Sequence, residues 1–292
     1  MRKIFKQQHK KTRNSILFLL PSLFILSVFT LIPLGLAFYM SFQGGRGSNI
    51  TFVGFENYIR IISDEYVIKA VTNNILAIVI LIPIVLFLSL TLANAINHIQ
   101  SPKIKSIVSI ILFFPSITSP VAYAYFFKTS VTGGGFLNQI FLRLSGSSQN
   151  ILLSPLGAKI MIALVCIWAW TGYYAMLFLS ALQNVDSSLY KSAQIDGAGN
   201  IRIFFRVTIP LLKQIIIFSI IMLFSTTFQL FAEVSIISKG GPNGATITLS
   251  YYMYMLCFQF VPQYGYAITI GFLIFVVCAI IGAIQIKLGL KK

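Results

Sequence analysis

The chain has 292 residues, of which 57% are hydrophobic and only 10% charged. Soluble domains carry roughly a quarter charged residues, so this balance excludes a water-soluble globular protein and points to a membrane protein. An excess of 22 Lys and Arg over 6 Asp and Glu would suggest a nucleic-acid partner if it lay on one water-facing domain, but the basic residues are spread over short segments between apolar stretches.

Stretches of about 20 apolar residues are long enough, at about 1.5 Å per residue, to cross a hydrocarbon core of about 30 Å. In chain order, a basic segment at residues 1–14 leads into the first, Ser15–Phe42. This apolar run is about twice as long as a secretory-signal core and no small-x-small site closes it, so it reads as an uncleaved helix. The outer segment from Gln43 to Ala70 holds a small amphipathic stretch (Phe55, Tyr58, Ile59, Ile62) expected to lie along the membrane surface. The second and third spans are Val71–Ile96 and Ile104–Phe127, with Asn73 and Asn74 placed to cap the second. Pro21, Pro33, Pro83, Pro115 and Pro120 are read as kinks, because neighbouring groups in a membrane protein can satisfy the carbonyls that proline frees. A polar, turn-rich loop from Lys128 to Pro155 precedes the fourth span, Leu156–Leu182; Thr208–Ala232 and Tyr264–Ile286 complete the set. The expected fold is all-α, a polytopic membrane protein with six transmembrane helices.

If the N-terminus is cytoplasmic, 15 of the 22 basic residues fall on the cytoplasmic side, and four of the six acids (Glu56, Asp64, Glu65, Glu233) fall on the other. That bias satisfies the positive-inside rule with both termini inside. Glu233 and Lys239 are expected at the outer interface. The three cysteines (Cys166, Cys257, Cys278) are odd in number and unpatterned, which argues against a disulfide framework and against a metal site.

The cytoplasmic segment 184–207 reads as two short helices around a glycine turn. Asp186, Ser187 or Ser188 can cap the first, Leu189, Ala193 and Asp196 follow at helical spacing, and Gly197 and Gly199 supply a permissive backbone. Ile201, Phe204 and Phe205 give the second an apolar face, and Pro210 opens the fifth span. An apolar face on this side of the membrane has two readings from pattern alone: an interfacial helix lying on lipid or on its own bundle, or a docking knob for a soluble partner.

The stretch Tyr190-Lys191-Ser192-Ala193-Gln194-Ile195-Asp196-Gly197-Ala198-Gly199, followed by Phe204-Phe205 and Ile209-Pro210-Leu211-Leu212, resembles the E-A-A, G, I-x-L-P loop of ABC import permeases. It is most similar to the carbohydrate-uptake branch, the maltose and glycerol-phosphate type. Two further segments carry the same resemblance: Phe52-Val53-Gly54-Phe55-Glu56-Asn57-Tyr58, and Gly240-Gly241-Pro242-Asn243-Gly244-Ala245-Thr246 with Tyr264-Gly265-Tyr266-Ala267. The resemblance implies the first permease of a heterodimer, with a second permease subunit, an ATP-binding-cassette ATPase dimer and an extracytoplasmic solute-binding protein as partners. It implies ATPase coupling through Tyr190, Lys191, Ala193, Ile195, Asp196, Gly197, Ala198, Gly199, Phe204 and Pro210. Lys191 stands where that family has Glu, so it implies either an acidic partner or no ion pair at that point.

No G-x-x-x-x-G-K-[ST] motif occurs, so ATP hydrolysis is assigned to another chain, and no catalytic residue or cofactor is read. Ser225, Thr226, Thr227 and Gln229 in the fifth span and Trp168, Trp170, Thr171 and Tyr173 in the fourth place polar and aromatic groups at membrane depth, where they suit a carbohydrate. By position relative to the loop, Tyr173, Thr226, Thr227 and Leu230 fall where the resemblance to the maltose-type permease implies a sugar pocket, and with Gln229 they are the candidate substrate path. The bland alternative is that these hydroxyls bond their own helix carbonyls or neighbouring helices. The span centres hold no Asp, Glu, Lys, Arg or His, which weighs against a proton-driven secondary transporter, and the acids near either face are too few for a membrane-embedded transferase.

Overall fold

A computed structural model of the chain describes residues 18–289 except 48 and 146–150. The expected basic segment 1–14 and the first residues of the first span lie outside the described residues. The described chain divides into two compact units, one containing residues up to Ile61 with Met255–Phe272, the other Ile62–Tyr254 with the residues from Leu273 onward.

The first unit begins with α1 (Phe18–Ser41), an apolar helix whose side chains are largely exposed, as suits a lipid-facing span. One widened π turn, Ser27–Leu31, precedes Pro33, and the Ile32 N–H reaches back five residues to the Ser27 carbonyl. Proline has no amide to give, and the helix absorbs the loss by widening before it. A small antiparallel hairpin, β1 (Gln43–Arg46) and β2 (Asn49–Phe52), follows with Gln43 opposite Phe52, an extended element that the all-α expectation omitted. It is clamped by α2 (Glu56–Ser63), where the buried Asn57 amide donates to the carbonyls of Ser41 and Gln43 at 2.9 and 2.8 Å. The Tyr58 hydroxyl lies 2.6 Å from Ser41 Oγ. The Arg60 guanidinium sits 3.8 Å over the Tyr266 ring and donates to Gln263 Oε1 at 2.8 Å.

The second unit is organised by two long helices, α3 (Glu65–Asn97) and, later in the chain, α7 (Pro155–Gln183). Asp64 caps α3 by accepting from the Tyr66 and Val67 amides, so the helix starts before the expected Val71, and Asn73 and Asn74 are not its caps. At 33 residues, or about 50 Å, it is longer than a hydrocarbon core. Val85, Ala93 and Ile96 of α3 pack with Tyr174, Phe178 and Leu182 of α7 in one apolar cluster that Leu212 and Leu223 complete.

The third expected span, 104–127, is instead two helices, α4 (Pro102–Ile117) and α5 (Pro120–Val131), with a 92° bend between the limbs. Before Pro120 the backbone leaves the helix, with Thr118 extended and Ser119 at φ −55° and ψ 130°, and Pro115 weakens the last turn of α4, so the bend is a break and not a kink. A Cβ on Gly172 would overlap the Leu112 carbonyl oxygen, so glycine there lets α4 lie directly against α7. Ser116 donates to the Ala169 carbonyl and Ser89 to the Thr171 carbonyl, tying α4 and α3 to α7 where lipid offers no competing donor.

After α6 (Phe136–Ser145) and α7 come α8 (Ser187–Ile195), α9 (Asn200–Leu211) and α10 (Lys213–Phe228), with a 75° bend between the last two. The fifth span was expected to start at Thr208, but residues 208–211 belong to the helix before the bend. The α1 pattern repeats here: a π turn, Phe204–Thr208, comes just before Pro210, and the Ile209 N–H bonds the Phe204 carbonyl. A π turn at Val234–Ser238, α11 (Leu249–Tyr254) and α12 (Tyr264–Gly289) complete the chain. Among the described residues four helices are long and apolar enough to cross a membrane, or up to six spans if each bent pair is one span.

Candidate functional site

The loop after α7 is built by local capping. The Asp186 carboxylate accepts from the Ser188 amide at 2.9 Å, and this bond, with help from the Ser188 hydroxyl, holds its pKa below the ordinary carboxylate value. At the other end Gly197 adopts a left-handed φ of 73°. The Ala198 amide reaches back to the Ala193 carbonyl and the Gly197 amide to Gln194, both at 3.0 Å. These are the two crossed bonds of a Schellman closure, which satisfies the free carbonyls of α8 and turns the chain sharply into α9. Gly199, expected to share this work, has φ −69° and ψ 161°, a conformation open to any residue.

The closed loop sorts the expected coupling residues into two sets. Lys191, Ile195, Asp196, Gly197, Gly199 and Pro210 are exposed, and Ala193 and Ala198 are half-buried. Phe204 instead packs against the apolar cluster of α3 and α7. Tyr190 also points inward: its hydroxyl is buried and bonds nothing among the described residues. Further exposed apolar side chains lie outside that set, Leu189, Ile201 and Phe205. Ile195 is 85% exposed, Ile201 78% and Phe205 57%, so these side chains do not rest on the chain's own bundle.

The candidate path residues divide in the same way. Tyr173, Thr226 and Gln229 are exposed. The Thr226 hydroxyl bonds back to the Met222 carbonyl, and Gln229 Nε2 lies 3.8 Å from Cys278 Sγ. Thr227 and Leu230 are buried within the chain, Leu230 at the wall of a pocket that Asn73, Thr246 and Thr248 also line. They lie inside because α10 ends at Phe228 and the following backbone folds back onto α3. Trp168 is a packing residue, edge-on to Tyr123 and Phe127.

What holds that fold-back was not visible as a pattern. Asn74, fully buried, donates to the carbonyls of Phe228 at 2.9 Å and Thr227 at 3.4 Å, and accepts from the Leu249 amide at 3.1 Å. Asn73 donates to the Gly244 and Ile247 carbonyls, and Thr248 donates to Leu230. Glu233, expected at the outer interface, is buried and accepts a hydrogen bond from the Tyr123 hydroxyl. Each pairing joins residues far apart in sequence, and their only sequence signal was a polar residue in an apolar run.

Comparison with known proteins agrees with this architecture. Residues 104–288 match the family described as binding-protein-dependent transport system inner membrane component. The lactose transport system permease protein of Rhizobium radiobacter is 35% identical over 278 residues, covering 93% of this chain and 92% of that one. The multiple sugar-binding transport system permease protein of Streptococcus mutans is 29% identical, covering 94% of each. In fold, the chain superposes with a TM-score of 0.82 on a subunit of a bacterial ABC transporter that imports the acidic polysaccharide alginate, at 22% identity over 98% of this chain and 100% of that one. Together with its apolar helices and its loop, these likenesses place the chain in the family of binding-protein-dependent transport system inner membrane components, the multi-pass permease subunits of ABC importers.

Proposed function

We propose that this permease forms half of the translocation path for a carbohydrate, pairing with a second permease, and that α8 and α9 are the handle by which an ATPase dimer moves it. The single observation that carries the proposal is the set of exposed apolar side chains Leu189, Ile195, Ile201 and Phe205, on a helix pair whose first member is capped at both ends. Exposed apolar surface on a rigid element marks an interaction site. The bends beside it, at Leu212 and at the π turn before Pro210, connect it directly to α10. Docking through apolar contact also accommodates Lys191, since an exposed ion pair adds only about 0–1 kcal/mol.

Solute reaches the outer face on a binding protein, in keeping with the family description, and the bias of basic residues puts both termini on the cytoplasmic side in this arrangement. A neutral glycosyl substrate is favoured over a phosphorylated or uronate one by the exposed path side chains, Tyr173, Thr226 and Gln229, none of which is charged. The lactose-transport and multiple-sugar relatives support the same class. In the test, Ile195→Asp and Phe205→Asp are made in the full transporter and the ATPase is co-purified. The chain should insert normally while ATPase recovery and sugar uptake fall at least about tenfold, because each change places a charge in an apolar contact. Full ATPase recovery in both variants would show that these side chains rest on lipid.

A further inference from the structure

Where α1 ends, the hairpin and α2 are fastened to two apolar helices at once. Asn57 of α2 donates to the carbonyls of Ser41 and Gln43, and the Thr269 hydroxyl of α12 donates to the same Ser41 carbonyl at 3.1 Å. The Gly47 amide donates to the Pro262 carbonyl at 2.9 Å, just before α12 begins. A Cβ on Gly265 would overlap the Gln43 carbonyl oxygen, so β1 lies directly against the first turn of α12. Both α1 and the start of α12 belong to helices long and apolar enough to cross a membrane, so these bonds hold the hairpin and α2 at the level where the two spans leave the hydrocarbon.

At that level the chain leaves large apolar side chains uncovered. Phe52 is 71% exposed, Phe55 68% and Ile59 68%. The Ile59 amide bonds the Phe55 carbonyl, so these two side chains share one side of the helix, while Glu56, also exposed, lies about 100° round and Asn57 faces the hairpin. An apolar side bordered by a charged one is what the surface of a bilayer requires. Rings join this side to the exposed surface of α1: Phe42 is edge-on to Phe38 at 5.1 Å and to Phe55 at 5.3 Å, and Phe38 and Tyr39 are themselves exposed. We infer that the hairpin and α2 are an anchor bound to the lipid surface at the outer end of α1, with Phe52, Phe55 and Ile59 among the acyl chains and Glu56 in water. The Arg60 guanidinium, engaged by Tyr266 and Gln263, ties the anchor to α12. The outer ends of α1 and α12 are therefore kept at one depth while the coupling loop moves; that consequence rests on the coupling reading above, and the lipid contact does not.

The test uses the whole transporter in nanodiscs of phosphatidylcholine brominated either near the headgroup or near the chain end. Phe52→Trp, Ile59→Trp and Glu56→Trp are made separately, and the emission of Trp168 and Trp170, measured on the parent, is subtracted. All three positions are exposed, so none of the changes disturbs the packed interior. At positions 52 and 59 the headgroup-side bromines should remove at least about half of the added emission and the chain-end bromines clearly less, since an interfacial helix sits about 5–10 Å into the boundary. Position 56 should lose little, and adding the binding protein should change none of the three. Equal loss at positions 56 and 59 would overturn the surface placement. Quenching that vanishes when the binding protein is added would give the apolar side to that protein, and blue-shifted emission that no bromine quenches would give it to the second permease; either result ends the lipid assignment.

Discussion

Two turns of the second unit solve the same problem by different means. The loop from Asp186 to Gly199 is closed by its own neighbours: a carboxylate two residues from the amide it accepts, and carbonyls bonded by amides three and five residues on. The fold-back from Phe228 to Leu249 has bonds of its own, Thr248 to Leu230 and Ser238 with Thr246, but it is also tied from a distance by Asn73 and Asn74 on α3, through bonds that span 153 to 175 residues. The first therefore stands free and can present apolar side chains outward. The second turns its polar groups inward and is fixed to the bundle. A handle has to be stiff and detached, whereas a break inside a membrane must have every backbone group satisfied, because lipid supplies no hydrogen bonds.

The largest effect is expected from cutting the distant anchor. An ordinary side-chain bond between membrane helices contributes about 0.6 kcal/mol. Asn74 makes three, all to backbone groups at helix ends; without it the Thr227 carbonyl keeps the Leu230 amide, but the Phe228 carbonyl and the Leu249 amide lose this bond, and an orphaned buried group costs about 1–3 kcal/mol. Asn74→Leu, which roughly keeps the volume, should destabilise the chain by about 3 kcal/mol in detergent thermal unfolding. Asn73→Ala, at a half-buried position, should cost clearly less. Equal, small losses in both would mean that the fold-back closes itself, and the contrast with the loop would vanish.

An intermediate effect is expected at Gly197. Nothing lies within 4 Å of the place its Cβ would occupy, so the requirement is for φ 73° alone. A β-branched residue in that left-handed conformation costs about 1–2 kcal/mol, confined to a loop that no distant bond supports. Gly197→Val should leave insertion and thermal unfolding nearly unchanged while hydrogen exchange in α8 rises and transport is lost. Gly199→Ala should match the parent in folding, since its backbone is ordinary and its surroundings open. If transport persists in Gly197→Val, the loop does not need its closed form.

The same contrast explains what could be read in advance. The apolar runs and the loop were legible because their causes are local: hydropathy over about 20 residues, an aspartate before a helix, a glycine after it. Pro115 and Pro120 were recognised as irregularities, yet the 92° break they produce depends on the backbone leaving the helix at Thr118 and Ser119, which a window of hydropathy does not register. Thr227 and Leu230 were placed in the path by their distance from the loop, and they are buried because Asn74, far upstream, reaches the Thr227 and Phe228 carbonyls. Asn57 belonged to a motif, but its work, clamping Ser41 and Gln43 across a hairpin, follows only from the folded arrangement.

The smallest effect is expected where the loop begins. Asp186 holds the start of α8 only while ionised, because a protonated carboxyl accepts the Ser188 amide less well. Its folded pKa is depressed, so its contribution is fully present above the ordinary carboxylate range and is lost as pH falls through the lowered value. Amide exchange in α8, after correction for its intrinsic pH dependence, should therefore be level from neutral pH down to about pH 4 and loosen below that. Asp186→Asn keeps an accepting oxygen without the titration, so the acid loosening should disappear while the helix persists. The Asn74 fold-back, held by amides and carbonyls that do not titrate, should show no such step. An acid transition shared by both regions, or one that survives in Asp186→Asn, would show that the loop is governed from outside its own sequence.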